Sequence, residues 1–400
     1  MSYGLIGLGT IGQNLTLNIQ KNTEVHVYNR THEKVDELVK KSTNIHGHDN
    51  ICGMIAKMKK PRTIITTLPH GETSDCVIKH MLKGVSRFDT IIDCSNEYYR
   101  TSRNRGSYLA SRGVHYIGAG LSGGASGALH GPALMIGCSK KVFETNKDFL
   151  ESFCKNVTYM GNDFGNGHYT KMVHNGIEYG MLQGISDIYS YCDQDQKVML
   201  DLMNDVYGSD IDGFLVNSAV EVLKKYDIHK IVDVAEMNQT GLWCSQVGME
   251  YNIPTPLINT TLSTRIASSH TKCLNTSQKI NIFYDRVIAI NTLRFVFATA
   301  IAEGYELMST RNIKKSKATK AWSSGTIIEC PMISGDVYDV MEETVADVRI
   351  FVMHCARSGV PCPAIMTALS HYDFIHQTRT SMNFLMAQRN HFGGHKIYQV

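Results

Sequence analysis

The sequence predicts an α/β Rossmann-type N-terminal domain, a large all-α C-terminal domain and a short C-terminal tail. Three observations predict it. A βαβ pattern carrying GxGxxG opens the chain, strand and helix signals alternate through the first third, and from Met181 to about Ser381 the apolar period is helical almost throughout. Length agrees, since 400 residues exceed what one ordinary core holds; the divisions fall at 1–166, 167–382 and 383–400.

Composition narrows the function classes. Hydrophobic residues make up 43% and charged residues 19%, which suits a folded soluble chain. Lys plus Arg total 40 against 37 acids, a net charge of +3, so nothing global favours nucleic acid or an anionic membrane. The chain enters a strand pattern at once, without a basic-then-apolar leader, and holds no continuous apolar run near 18 residues, which places it in the cytoplasm. Eleven cysteines, odd in number and without CxxC spacing, argue against a disulfide framework and a thiolate zinc site; they read as small buried hydrophobes. His46-Gly47-His48-Asp49, and His391 with His395, match no ligand pattern, so no metal is expected. No internal repeat or low-complexity tract is read.

In chain order, Tyr3 to Gly7 reads as a buried strand, Gly7-Leu8-Gly9-Thr10-Ile11-Gly12 as a glycine loop, Gln13 to Gln20 as a helix and Glu24 to Tyr28 as the next strand. Gly7, Gly9 and Gly12 then let a pyrophosphate approach a helix N-terminus. The second strand runs into Asn29-Arg30-Thr31 instead of an Asp or Glu that would hold a ribose hydroxyl. A guanidinium beside a hydroxyl suits a 2′-phosphate, so NADP is expected over NAD. Further strands are read at Thr63 to Leu68, Thr90 to Asp93 and Val114 to Ile117, the last opening into a loop from Gly118 to Gly124. Ligands of an open parallel sheet sit beyond the carboxyl ends of strands, which puts Asn96 and Ser122-Gly123-Gly124 at a substrate or nicotinamide. A plain turn is the competing reading of that loop.

The stretch from Gly165 to Gly180 is the candidate chemical centre. As a helix it sets Lys171, His174, Asn175, Glu178 and Tyr179 on one stripe, with Val173 and Ile177 opposite. A solvated face is the bland reading, but His174, Asn175 and Gly176 each cost helix propensity that an exposed surface has no reason to accept. Beyond it, Asn238-Gln239-Thr240-Gly241-Leu242-Trp243 reads as a loop or a helix start, with Thr240 as cap. Taken locally, Arg265, Arg389 and His395 read as surface residues.

Six ordered stretches resemble the 6-phosphogluconate dehydrogenase family nearly end to end: residues 7 to 15 (GLGTIGQNL), Asn29-Arg30-Thr31, Ile91-Ile92-Asp93 through Asn96, Leu121-Ser122-Gly123-Gly124 with Gly131-Pro132-Ala133-Leu134-Met135, residues 171 to 180 (KMVHNGIEYG), and Gln388-Arg389 through His395. The resemblance implies NADP-dependent oxidative decarboxylation of 6-phosphogluconate to ribulose 5-phosphate. It makes Lys171 the base and Glu178 the acid. Asn96, Ser122, Gly123, Gly124, His174 and Asn175 would hold the sugar acid, with Asn96 also at the cofactor. Tyr179 and Arg265 would bind the phosphate together with Arg389 and His395 of the partner's tail, so the implied assembly is a homodimer with a shared site.

The chain departs from the family in places. Leu242 stands where members carry a lysine on the substrate phosphate, Glu329 where a basic residue is expected, and Cys94-Ser95 where two glycines are usual. The helical region and the tail look short. A related β-hydroxyacid dehydrogenase with another acid, or a catalytically weak homologue binding NADP or a sugar phosphate, are the competing readings.

Overall fold

The computed structural model describes residues 1–270 and 284–398. Eight strands form one sheet: β1 (Ser2–Ile6), β2 (Val25–Tyr28), β3 (Ile45–Gly47), β4 (Arg62–Thr66), β5 (Thr90–Asp93), β6 (His115–Ser122), β7 (Ala133–Gly137) and β8 (Asn156–Gly161). Their order is β3-β2-β1-β4-β5-β6-β7-β8, parallel except where β7 runs antiparallel to β6. Helices α1 (Thr10–Ile19), α2 (Glu33–Val39), α3 (Ile51–Lys57), α4 (Glu72–Met81), α5 (Tyr99–Ser111), α6 (Gly124–His130) and α7 (Lys140–Glu151) connect them. Leu5, Ile6, Val27, Ile64, Ile65, Ile91 and Ile92 are buried, the continuous apolar runs that a sheet covered on both faces demands.

The helical part begins with α8 (Asn166–Tyr191), followed by α9 (Gln196–Asp205), α10 (Phe214–Lys225), α11 (Gln239–Glu250) and α12 (Pro256–Ser268). It continues through α13 (Arg286–Ser309), α14 (Lys315–Trp322), α15 (Val337–Ser358) and α16 (Pro363–Ile375) to α17 (Met382–Gly393). By length and apolarity α13 could cross a membrane, but 78% of its most apolar stretch is buried, as befits a core helix. Its packing against α8 forms the centre of the helical core. By contrast α17 buries no residue.

Three expectations are corrected. The run from Gly118 to Leu121 is strand and not loop, because β6 continues to Ser122 to pair with β7. Its glycines serve close packing instead of turning: a Cβ on Gly118 would meet Phe164 O at 2.1 Å, and one on Gly120 would meet Gly167 O and Lys171 Cβ at 2.5 Å each. The helix start after Met237 is capped by Asn238, whose side chain accepts from Thr240 N, while Thr240 lies inside α11. A short repeat is also present: Ile253-Pro254-Thr255-Pro256-Leu257-Ile258 and Val360-Pro361-Cys362-Pro363-Ala364-Ile365 each start a helix with proline in its first turn. Each start is capped by a buried carboxylate from a long helix. Glu303 of α13 accepts from Leu257 N and Ile258 N at 2.8 and 3.0 Å, and Asp187 of α8 from Ala364 N and Ile365 N at 2.9 and 3.2 Å.

The Gly120 contact predicts that Gly120→Ala destabilises the chain by about 1–3 kcal/mol through overpacking. Gly9→Ala, whose Cβ would meet nothing within 4 Å, should change stability by less than about 0.5 kcal/mol. Urea unfolding of the two variants checks the contrast; equal losses would contradict it.

Candidate active site

At the carboxyl end of β1 the three loop glycines do different work. Gly7 adopts φ +100°, and a side chain there would strike Thr67 O at 2.5 Å; a Cβ on Gly12 would strike Gly7 O at 1.9 Å. Gly9, at the N-cap of α1, faces open space. A pyrophosphate can therefore reach the N-terminus of α1 without hindrance, and the residues fit a dinucleotide. Asn29 ties this loop down by accepting from Leu8 N at 2.9 Å and donating to Thr31 O at 2.9 Å. Arg30 and Thr31 are exposed just past β2.

A cleft of about 290 Å³ opens between the strand ends and the helical core. Asn96, Ser122, Gly124, Lys171, Asn175 and Glu178 line it. Gly123 is buried beside it at φ +113°, a conformation that favours glycine. The polar stripe of α8 is real but faces inward: Lys171 is 7% exposed and His174 fully buried. Glycines on α8 explain how. A Cβ on Gly176 would meet Cys244 Sγ at 2.5 Å and one on Gly184 would meet Val296 Cγ1 at 2.6 Å, so α11 and α13 close onto the helix.

Hydrogen bonds fix the stripe. Lys171 Nζ lies 3.3 Å from His174 Nδ1, which lies 3.1 Å from Asn175 Oδ1 and 3.7 Å from Glu178 Oε2. His174 Nε2 meets Ser122 Oγ at 2.8 Å, and Asn175 Nδ2 donates to Thr240 Oγ1 at 2.7 Å. Burial pulls the Lys171 ammonium down to about 8, against the opposing pull of Glu178. Burial also raises the Glu178 carboxyl above its usual range, opposed by Lys171 and Arg265. His174 is held well below the usual histidine value, by burial first and Lys171 second, and is neutral.

One helical turn on, the Arg265 guanidinium stacks 3.8 Å from the centre of the Tyr179 ring and donates to Glu236 O at 2.8 Å. Leu242, half-buried on α11, adds no charge nearby. Arg389 and His395 are exposed and do not join the cleft of their own chain. Glu329 faces Lys155 at 3.8 Å and also accepts from Gly325 N. Ser95 accepts from Leu68 N at 3.3 Å, so this serine links two strand ends beside Asn96. Below them Asp93 is paired with Arg105 at 2.6 Å, and Arg105 with Glu97 at 3.0 Å. Ile11, Thr67, Leu68, Asn238 and Ile327 also line the cleft. Sequence reasoning missed these five as site residues, although Ile11 lies within the glycine loop and Asn238 within a recognised helix start.

A glycine loop for a dinucleotide, facing a buried lysine and a glutamate across one cleft, defines a Rossmann-type dehydrogenase of hydroxy acids. Comparison with known proteins narrows this. The model for the NAD binding domain of 6-phosphogluconate dehydrogenase matches residues 2–161, and that for the 6-phosphogluconate dehydrogenase C-terminal domain matches residues 167–335 and 313–400. The chain belongs to the 6-phosphogluconate dehydrogenase family. It is 29% identical to the NADP(+)-dependent, decarboxylating 6-phosphogluconate dehydrogenase of Bacillus subtilis (strain 168), over 98% of this chain and 95% of the relative. With the decarboxylating enzyme of Drosophila simulans it shares 31% identity, over 98% of this chain and 92% of the relative. The solved structure of Plasmodium falciparum 6-phosphogluconate dehydrogenase superposes with a TM-score of 0.87 at 26% identity, covering 100% of this chain and 98% of that one. A Mycobacterium tuberculosis 3-hydroxyisobutyrate dehydrogenase, at 16% identity and TM-score 0.54, shares the fold over 67% of this chain and 94% of its own.

The burial of Lys171 has a signed consequence for stability. The folded chain releases this proton at about 8 and the free side chain at 10.5, so between those values the unfolded state holds more protons and stability rises with pH. Below pH 8 the cost is complete. Lys171→Met should therefore stabilise the chain at pH 7 by about 3 kcal/mol, a gain that fades as pH approaches 10.5. Urea titrations of both chains at pH 7 and at high alkaline pH test this; destabilisation at pH 7 would contradict it.

Proposed function

We propose that this chain oxidises and decarboxylates 6-phosphogluconate with NADP, giving ribulose 5-phosphate, CO2 and NADPH, the step by which the pentose phosphate pathway releases carbon. The observation that carries the reading is the buried Lys171 facing Glu178 in the cleft, with the two groups shifted toward neutrality in opposite directions. The relatives are named for the same reaction, and the Plasmodium falciparum enzyme is known in complex with its cofactor NADP+ and with its substrate 6-phosphogluconate.

NADP held by the glycine loop, Arg30 and Thr31 would supply the acceptor for the C3 hydride. Lys171 takes the proton of the C3 hydroxyl, leaving a 3-keto acid. The resulting ammonium, hydrogen-bonded to the keto oxygen, draws electrons from the C1–C2 bond as CO2 departs. Glu178 then protonates the enediol carbon that was C2 of the acid and becomes C1 of ribulose 5-phosphate. Ser122, Gly123, Gly124, Asn96, His174 and Asn175 hold the sugar acid, while Tyr179 and Arg265 bind its phosphate. Arg30 and Thr31 take the cofactor's 2′-phosphate. The active unit in this reading is a homodimer in which Arg389 and His395 of one tail complete the other subunit's phosphate site; the exposure of Phe384, Leu385 and Phe392 on α17 supports a tail that docks elsewhere than on its own chain. The reading includes a cytoplasmic location, supported by ten free cysteines among the described residues.

Purified protein given NADP and 6-phosphogluconate should form NADPH, with gluconate as a poor substrate; Lys171→Ala should lose at least roughly a thousandfold in turnover while still binding NADP. Turnover persisting in Lys171→Ala would refute the base, and turnover of gluconate alone would favour another hydroxy acid. The shared site is tested by mixing. Inactive Lys171→Ala and Arg389→Ala chains, refolded together, should regain roughly a quarter of wild-type activity, because half the dimers carry one intact site. No recovery would contradict a shared site.

A further inference from the structure

The hydrogen bonds around His174 form a chain whose direction is fixed from one end. At one end Asn238 Oδ1 is an acceptor, since it caps α11 by accepting from Thr240 N at 3.2 Å. The single proton of the Thr240 hydroxyl is donated to that same oxygen. Thr240 Oγ1 must then be the acceptor in its 2.7 Å contact with Asn175, which turns the Asn175 amide nitrogen toward Thr240 and its carbonyl toward His174. A carbonyl 3.1 Å from His174 Nδ1 requires a proton on that nitrogen. At the other end Ile327 N donates to Ser122 Oγ at 3.3 Å; with the ring proton on Nδ1, His174 Nε2 accepts from the Ser122 hydroxyl at 2.8 Å. Every group from Ile327 to Asn238 thus donates in one direction.

This polarity matters to Lys171, whose Nζ lies 3.3 Å from the protonated Nδ1. An N–H cannot accept from an ammonium, so the protonated Nδ1 offers the charged form of Lys171 no hydrogen bond. We propose that Thr240, anchored by Asn238, is a positioning residue that holds the His174 proton on Nδ1 and so biases Lys171 toward the free-amine form; the inference rests on Lys171 being the base of the reaction. Reversing the imidazole would put a lone pair on Nδ1 and give the ammonium an acceptor.

Other ionisable groups around Lys171 do not set this bias. Glu178 on its own helix opposes it. Arg265 of α12 acts on Glu178, Cys94 from the end of β5 lines the cleft, and Cys244 of α11 lies behind Gly176. Glu303 of α13 is engaged with the start of α12, Asp93 and Glu97 with Arg105, and His168 with Ser102 at 2.6 Å. From β6, Gly120 and Ser122 bring no charge.

The test is the pH profile of kcat/KM for Thr240→Val and Thr240→Ser. Valine keeps the shape of the side chain and removes the hydroxyl, so its acid limb should move up by roughly one pH unit, with roughly tenfold lower kcat/KM at pH 7. Serine should restore the wild-type limb. A lower kcat/KM with an unmoved limb in Thr240→Val would show a merely structural role and overturn the relay. The pH dependence of Lys171 labelling by acetic anhydride, read by peptide mass, gives the same quantity without turnover. Should the wild type prove inactive on 6-phosphogluconate, the proposed reaction fails, whereas labelling that titrates identically in wild type and Thr240→Val defeats the relay itself.

Discussion

Gly120 of β6 and Gly167 of α8 meet where neither has room for a side chain, and Lys171 sits directly on that contact. The approach brings a helix carrying polar groups flush against the sheet, where a normal pair of side chains would hold it off. Water is thereby excluded from Lys171 and His174. The electrostatics of the cleft follow from this packing: remove the contact and the lysine would be an ordinary solvated ammonium.

Burial acts on the two opposed groups in opposite senses. It disfavours the charge on Lys171 and that on Glu178, so one value falls and the other rises, and their mutual attraction limits both shifts. The result is an amine and a carboxyl on neighbouring turns of one helix, each shifted by burial toward its uncharged form. His174, too deeply buried to charge, bridges them as a neutral ring whose tautomer is set by its neighbours. The helical core supplies the rigidity, with α8 and α13 each lending a carboxylate to cap a helix that starts beneath it.

Much of the fold and site was legible in the sequence, for reasons of local physics. GxGxxG works through backbone space, so Gly7, Gly9 and Gly12 could be read without a structure, and the polar stripe of α8 was visible because His174, Asn175 and Gly176 are poor choices for an exposed helix. What stayed hidden depends on long-range contact. Gly118 to Leu121 look like a loop until β7 returns antiparallel beside them. Ile327 reaches Ser122 from 205 residues away, and no periodicity announces it. Asn238 and Thr240 are indistinguishable as caps by type; only the dihedrals and the partner Asn175 separate them. Arg389 and His395 gained meaning from resemblance alone, because their surroundings on one chain are solvent.

The most direct measurement is the titration of the Lys171 amine itself, followed by NMR of lysine labelled with carbon-13 at Cε, using Lys171→Met to assign the signal. A midpoint near 8 in the free protein is the predicted result. A midpoint at the ordinary lysine value of 10.5 would mean that water reaches the group, and the account of a base created by packing would be wrong.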